Sequence, residues 1–132
     1  MPKLRVISSQ LKKPKLRGRS QLTGRIGFSR ETGTELAMRE GQHVLLMVDD
    51  DNPSPTHIFI QSTEDSSIDS FELKKASDYF YLNARSFFEA LDFDYTQKII
   101  KYRIKITPID GIDVLECIGV EADHIKKTDE II

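Results

Sequence analysis

The clearest strand pattern in the chain is an alternation of apolar and polar residues between positions 100 and 107. Isoleucine and tyrosine alternate there with lysine and arginine, which predicts a strand with one face in a core and the other in solvent. The residues predicted on the solvent face are Lys101, Arg103 and Lys105. Asp110-Gly111 is a good hairpin signal, so residues 113–120 are predicted to return as the antiparallel partner strand.

A second hairpin is predicted in the first half of the chain. Residues 42–48 form a short apolar run that is rich in strand formers. Residues 49–55 contain three aspartates, an asparagine and two prolines, which are typical of a loop. The alternating residues 57–61 then predict the return strand.

Two segments have the pattern of short helices. Apolar residues at positions 84, 87, 88, 91 and 95 form a single stripe at helical period, and Asn83 is the predicted N-cap. Ser29 is the predicted N-cap of a weaker helix over residues 30–38. The predicted fold class is therefore α+β, mostly antiparallel β with one or two short helices.

The predicted elements occur in the same order in two parts of the chain. Residues 24–62 and 79–120 each give strand, helix, strand, turn and strand, at an offset of 54 to 55 positions. The similarity lies in the order of elements, and short β-α-β-β units also recur by chance, so duplication and coincidence both remain open. A duplication predicts a pseudo-two-fold barrel or paired sheets in which each half covers the other's edge strands.

Length and composition indicate one domain. The chain has 132 residues, of which 39% are hydrophobic, enough to build a single core. No apolar run reaches the roughly 20 residues of a membrane-spanning helix, and no signal-peptide pattern follows the start. A cytoplasmic location without membrane contact is predicted. The single Cys117 excludes an internal disulfide.

Charge is distributed very unevenly along the chain. Residues 1–30 hold nine cations and no acid, whereas the other 102 residues hold 10 of the 19 cations and all 21 acids. A block of like charge ahead of a folded region is often a flexible interaction arm, so we predict such an arm at residues 1–23 and a globular domain at 24–132. The arm residues predicted to contact phosphates are Lys12, Lys13, Lys15, Arg17 and Arg19. The arm could equally be a solvated tail or fold back on the acidic body.

The predicted strand at 100–107 offers a second set of cations. Its three solvent-facing cations span about 13 Å, a length that could follow a row of phosphates. Tyr79 and Tyr81, if they lie nearby, would add aromatic rings suited to single-stranded nucleic acid. The competing interpretation is an ordinary solvated strand face whose charges discourage edge pairing.

Gly24-Arg25-Ile26-Gly27-Phe28 is followed by Leu36, Met38, Gly41 and Val44 at a spacing known from one protein family. On these residues the chain resembles the AbrB-type swapped-hairpin regulators over about 40 residues, 24–62. It implies a DNA-binding regulator in which Arg25 and Arg30 meet phosphates. The chain departs from the family pattern at four positions: Ser29 stands for the usual proline, Gly33 for a basic residue, Ala37 for glycine and Gln42 for aspartate.

No grouping of residues in the sequence indicates catalysis. His43, His57 and His124 are widely separated, so a metal site would need them to converge in space. Residues 49–51 lack the spaced ligands of a calcium loop, and Cys117 is expected to be a buried, inert thiol. We therefore predict no enzyme activity, no metal, no cofactor and no small-molecule substrate.

Two functional hypotheses follow from these patterns. The first is a small non-enzymatic nucleic-acid-binding protein, with DNA favoured over RNA, that uses the basic arm and the basic strand face. The alternative is an adaptor or assembly protein whose basic arm and acidic body pair between copies to form homo-oligomers. A continuous positive surface joining the arm to the Lys101 strand would favour the first hypothesis, and an arm docked on acids would favour the second.

Overall fold

The computed structural model of the protein describes residues 2–4, 15–66 and 69–123. Within these residues the chain forms nine strands and two short helices. In chain order they are β1 (Arg17–Ser20), β2 (Arg25–Phe28), α1 (Arg30–Glu35), β3 (His43–Val48), β4 (His57–Thr63), β5 (Phe71–Glu72), β6 (Lys74–Ala76), β7 (Tyr79–Asn83), α2 (Arg85–Ala90), β8 (Lys98–Ile109) and β9 (Ile112–Asp123).

All nine strands belong to one antiparallel, nearly closed and barrel-like sheet. The strand order is β5-β3-β4-β9-β8-β1-β2-β7-β6, and β5 approaches β7 where the two ends of the sheet meet. Strands hold 50% and helices only 11% of the described residues. The predicted α+β class is therefore wrong, because the sheet closes around its own core and leaves the two helices no layer to form; the fold is closer to all-β.

Both predicted hairpins are confirmed. Strands β3 and β4 pair from His43 with Thr63 to Val48 with Ile58. Strands β8 and β9 pair along twelve residues each, and the turn between them is Asp110-Gly111 with positive φ at both positions. These long ladders were predictable because alternation over many residues specifies both the strand and its register.

The two helices are shorter than predicted. Ser29 caps α1 as expected, since its hydroxyl accepts a hydrogen bond from the Thr32 N–H. Helix α2 starts after Ala84, which makes no side-chain cap, and Asn83 instead ends β7. Asp92, with φ of 55°, ends the helical segment, so Phe93 packs on Phe88 from the following turn. Neither helix of the described residues has the length and apolar character needed to cross a membrane.

Strand β1 is the main departure from the predicted organisation. Residues 17–20 fall within the predicted flexible arm, but they pair with β2 on one side and with β8 on the other. Gly18 and Ser20 point into the core, where a side chain at Gly18 would meet the Gly27 carbonyl oxygen at 3.1 Å. The globular part of the chain therefore includes residues 17–23, and Arg17 and Arg19 lie in the middle of the sheet.

Two buried hydroxyl groups fasten β1 to the rest of the fold. The Thr32 hydroxyl accepts a hydrogen bond from the Arg17 N–H at 2.6 Å and donates to the Arg17 carbonyl at 3.1 Å. At the other end of the strand, the Ser20 hydroxyl accepts from the Ile100 N–H at 2.7 Å. Both side chains are fully buried. Their hydroxyl groups give hydrogen bonds to backbone groups of Arg17 and Ile100 in a place that water does not reach.

The order of strand, helix, strand and strand occurs twice, in β2-α1-β3-β4 and in β7-α2-β8-β9. The first strands of the two units pair with each other around Gly27 and Tyr81, and the last strands pair from His57 with Ile118 to Ile60 with Leu115. Duplication as the origin of the two units stays a prediction.

Candidate nucleic-acid interface

Four cations lie side by side on the outer face of the sheet, which is the face opposite the core. Register places Arg17 directly across from Arg103, and Arg19 directly across from Lys101. All four residues are exposed. Neighbouring strands are about 4.8 Å apart and alternate residues of one strand about 6.6 Å apart, so these residues form a two-by-two arrangement, here called the cationic grid.

The cationic grid has no counter-charge within the described part of the chain. None of its four residues lies within 4.0 Å of a carboxylate there, whereas Lys105, next along β8, has its Nζ 3.6 Å from Glu116 Oε1. Like charges directly opposite each other destabilise a strand pair. The grid therefore concentrates positive charge at an energetic cost to the fold.

The cationic grid lines one side of an open groove with a volume of about 1490 Å³. Between β1 and Tyr79 of β7 the groove is lined by Gln21, Gly27, Phe28 and Ser29. The small residues Gly27 and Ser29 leave a depression between the grid and the Tyr79 ring, here called the trough, and the Gln21 side-chain amide covers its Gly27 end. The Tyr79 ring leans over it, since its Cε2 lies 3.7 Å from the position that a Cβ on Gly27 would take.

Exposed apolar side chains border the grid on its other side. Strand β9 places Ile118 across from Arg103 and Val120 across from Lys101, and these two apolar residues are 47% and 73% exposed. Both line the groove. The outer face thus has a cationic centre with apolar or aromatic groups on both sides, which is the composition that suits a flexible polyanion carrying flat rings.

Glu116 is the acidic group at the border of this face. Its Oε2 lies 2.7 Å from His57 Nε2, and its Oε1 accepts a hydrogen bond from the Thr107 hydroxyl at 2.9 Å. The hydrogen bond with His57 is the main reason that the pKa of Glu116 lies below its ordinary value. Burial acts in the opposite direction, and Thr107 and Lys105 add further lowering. Glu116 therefore stays charged and offsets part of the charge of Lys105.

Replacing Glu116 by glutamine is expected to tighten nucleic-acid binding while weakening the fold. The change frees Lys105 for one more phosphate contact, which at 0.1 M salt corresponds to about a threefold to eightfold gain in affinity. The stability difference between wild type and Glu116→Gln is present at neutral pH and disappears as the pH falls through the lowered pKa of Glu116. Fluorescence anisotropy and denaturation between pH 3 and 7 measure the two effects.

The matched control is Glu121→Gln, which removes the same charge from the same strand. Glu121 pairs with Ile100 of the core face and lies 4.0 Å from Lys98. An equal gain in affinity in both variants would mean that net charge, rather than the release of Lys105, controls binding.

The structure brings together five of the ten predicted phosphate-binding residues. Arg17, Arg19, Lys101, Arg103 and Lys105 all line the groove. Lys15 is exposed just ahead of β1, and Arg30 is the exposed first residue of α1. Arg25 places its guanidinium 4.2 Å from the centre of the Tyr81 ring. Lys12 and Lys13 lie outside the described residues.

The remaining residues considered for metal binding or catalysis are two histidines, the cysteine and the aspartates of the 49–51 loop. His43 Nδ1 lies 3.3 Å from the Ser70 hydroxyl, and His124 lies outside the described residues. Cys117 is buried, and desolvation raises the pKa of its thiol to about 12. Asp49 accepts a hydrogen bond from the Asp51 N–H within its loop. Among the described residues no three His, Cys, Asp or Glu side chains are grouped to hold a metal ion.

Sequence reasoning missed Gly27, Ser29 and Glu116 as parts of this surface. Their roles depend on strand register, which brings residues 17, 27, 79 and 103 to the same face from distant parts of the chain. One usable signal was present: Arg17-Gly18-Arg19-Ser20 alternates large charged residues with small ones, as a central strand with a crowded inner face does.

Comparison with family models, with curated proteins and with solved structures finds no match for this chain. The resemblance to AbrB-type regulators therefore remains a prediction from the sequence.

Proposed function

We propose that the protein binds nucleic acid without catalysing a reaction, by holding phosphates against the cationic grid on the outer face. The observation that carries the proposal is the register of β1 with β8, which sets two pairs of cations directly opposite each other. Contacts of this kind recognise the backbone, so binding is expected to be independent of base sequence and to weaken steeply with salt.

An anionic ligand accounts for the energetics of the cationic grid. Two like-charge pairs with no carboxylate nearby in the described residues reduce the stability of the β1-β8 pairing. A phosphate backbone placed across them reverses the sign of that interaction and releases counterions. The grid spacing of roughly 5 by 7 Å allows neighbouring phosphates to be contacted by different cations.

The alternative of an assembly protein predicts that basic residues of the arm dock on acids of the body. Arg17 and Arg19 belong to the sheet rather than to the arm, and they continue the positive face of β8, which supports phosphate binding on that face; assembly stays the alternative. The proposal keeps DNA as the preferred partner, on the strength of the sequence resemblance, and keeps the cytoplasm as the location.

The test is fluorescence anisotropy with labelled 20-nucleotide single- and double-stranded DNA at 50–300 mM salt, using the full chain. We compare wild type with Arg19→Gln/Lys101→Gln, and with a control, Arg39→Gln/Lys75→Gln. The control removes the same charge from two exposed residues that do not line the groove. Loss of two phosphate contacts lowers affinity by about 50-fold at 0.1 M salt and reduces the slope of log K against log salt by about 2.

Light scattering of the same samples addresses assembly. Binding that the grid variant weakens and the control leaves unchanged supports the proposal. No binding at 50 mM salt, where electrostatic attraction is strongest, overturns it. A mass above that of one chain that falls in the grid variant would favour the assembly hypothesis.

A further inference from the structure

The trough lies between two different kinds of wall. On one side stand the guanidinium groups of β1, and on the other stands the ring of Tyr79. The floor is Gly27 and Ser29, and the Gln21 side-chain amide reaches over Gly27. The backbones of β1 and β7 are two strand spacings apart, about 10 Å. Gln21 occupies the part of this width above Gly27, and the exposed Ser29 leaves the other end open to a flat ring beside Tyr79.

The two tyrosines of β7 differ in whether a ring face is open to a ligand. Tyr81 lies across from Gly27, but the Arg25 guanidinium already covers its ring at 4.2 Å. Tyr79 makes a tilted ring contact with Tyr81, with the ring centres 6.1 Å apart and the planes inclined at 46°. The Tyr79 side chain is half-buried and lines the groove. Tyr79 is therefore the ring with a surface directed at the trough.

We propose that this surface selects single-stranded nucleic acid, with one base stacked on Tyr79 over the Ser29 end of the trough and the adjoining phosphates on the cationic grid. The inference rests on the proposed function and adds the class of strand that is bound. Stacking on an aromatic ring contributes to binding with any base, because every base has a π-face. The Gly27 end of the trough is already filled by the Gln21 amide, so the base lies at the Ser29 end.

A duplex cannot use this arrangement in the same way. Its bases are stacked on their neighbours, so a protein ring reaches a base face only where the strand is unpaired or a base is turned out. Duplex DNA would retain the phosphate contacts and lose the contact with Tyr79. The preference for single strands should therefore depend on Tyr79, and the salt dependence should depend on the cationic grid.

The experiment measures anisotropy of the full chain with three labelled 20-mers at 100 mM salt: single-stranded oligo-dT, an abasic strand with the same phosphates, and a duplex. The variants are Tyr79→Leu, which keeps apolar bulk and removes the ring, and Tyr79→Phe as the matched control. We expect Tyr79→Leu to lose about 5- to 100-fold in affinity for oligo-dT and nothing for the abasic strand. Tyr79→Phe should bind like wild type.

The outcomes separate this inference from the proposed function. If wild type binds all three ligands equally and Tyr79→Leu changes none of them, the stacking site is wrong while phosphate binding stands. If Tyr79→Leu weakens oligo-dT and the abasic strand alike, the residue acts through the shape of the groove and the inference fails. If wild type binds no nucleic acid at 50 mM salt, the proposed function fails first.

Discussion

Replacing all four residues of the cationic grid by glutamine is expected to remove nucleic-acid binding while making the protein more stable. Each phosphate contact contributes close to one unit of slope in log K against log salt, so the loss of four lowers affinity about 10³-fold at 0.1 M salt. The slope itself should fall by about 4. Anisotropy over 50–300 mM salt gives both quantities from the same titration.

The stability change has the opposite sign because the grid sets like charges against each other. Arg17 faces Arg103, and Arg19 faces Lys101, on adjacent strands. Removing the two repulsions should raise the free energy of unfolding by a few tenths to about 1 kcal/mol, which amounts to a few degrees in Tm. The gain should be largest at low salt, where exposed charges are least screened.

The control for this variant is again Arg39→Gln/Lys75→Gln, which should change neither binding nor Tm by a comparable amount. A grid variant that loses binding and also loses stability would contradict the argument, since its weaker binding would then reflect partial unfolding. A variant that keeps wild-type affinity would place the interface elsewhere, and the remaining predicted residues would then be Lys12, Lys13, Lys15, Arg25, Arg30 and Lys105.

The sequence predicts the hairpins and half of the interface because those features are local. The alternation of Lys101, Arg103 and Lys105 with apolar residues specifies both a strand and the face that its cations occupy. The Asp110-Gly111 turn then sets the register of β8 and β9 without information from elsewhere in the chain. The structure therefore confirms the predicted hairpin of β8 and β9.

The position of β1 could not be predicted in the same way. Four residues with two arginines have too little apolar area to indicate a strand, so charge alone suggested a flexible arm. The strand exists because β2 and β8 supply hydrogen-bond partners on both sides and because Gly18 fits between Phe28 and Ile104. One consequence is that deleting residues 1–19 would remove most of a central strand. Point substitutions are therefore the better test of binding.

The placement of Arg17 depends on the buried hydroxyl of Thr32, and the substitution Thr32→Val is expected to show this. Valine keeps the shape of threonine but offers no acceptor to the Arg17 N–H, which the Thr32 oxygen now meets at 2.6 Å. A buried donor without a partner costs about 1–3 kcal/mol. Urea denaturation should therefore show a loss of that size.

Hydrogen exchange and a second threonine decide whether the loss acts through β1. The Arg17 amide should exchange faster in Thr32→Val, because the substitution removes the hydroxyl oxygen that accepts its hydrogen bond. Thr34→Val is the matched control, because Thr34 lies in the same helix, is exposed, and has a hydroxyl that donates to the Arg30 carbonyl of its own helix. Equal losses in both variants would mean that the helix, rather than the bond to β1, carries the effect. A selective loss would show that a side chain from α1 holds one end of the cationic grid in place.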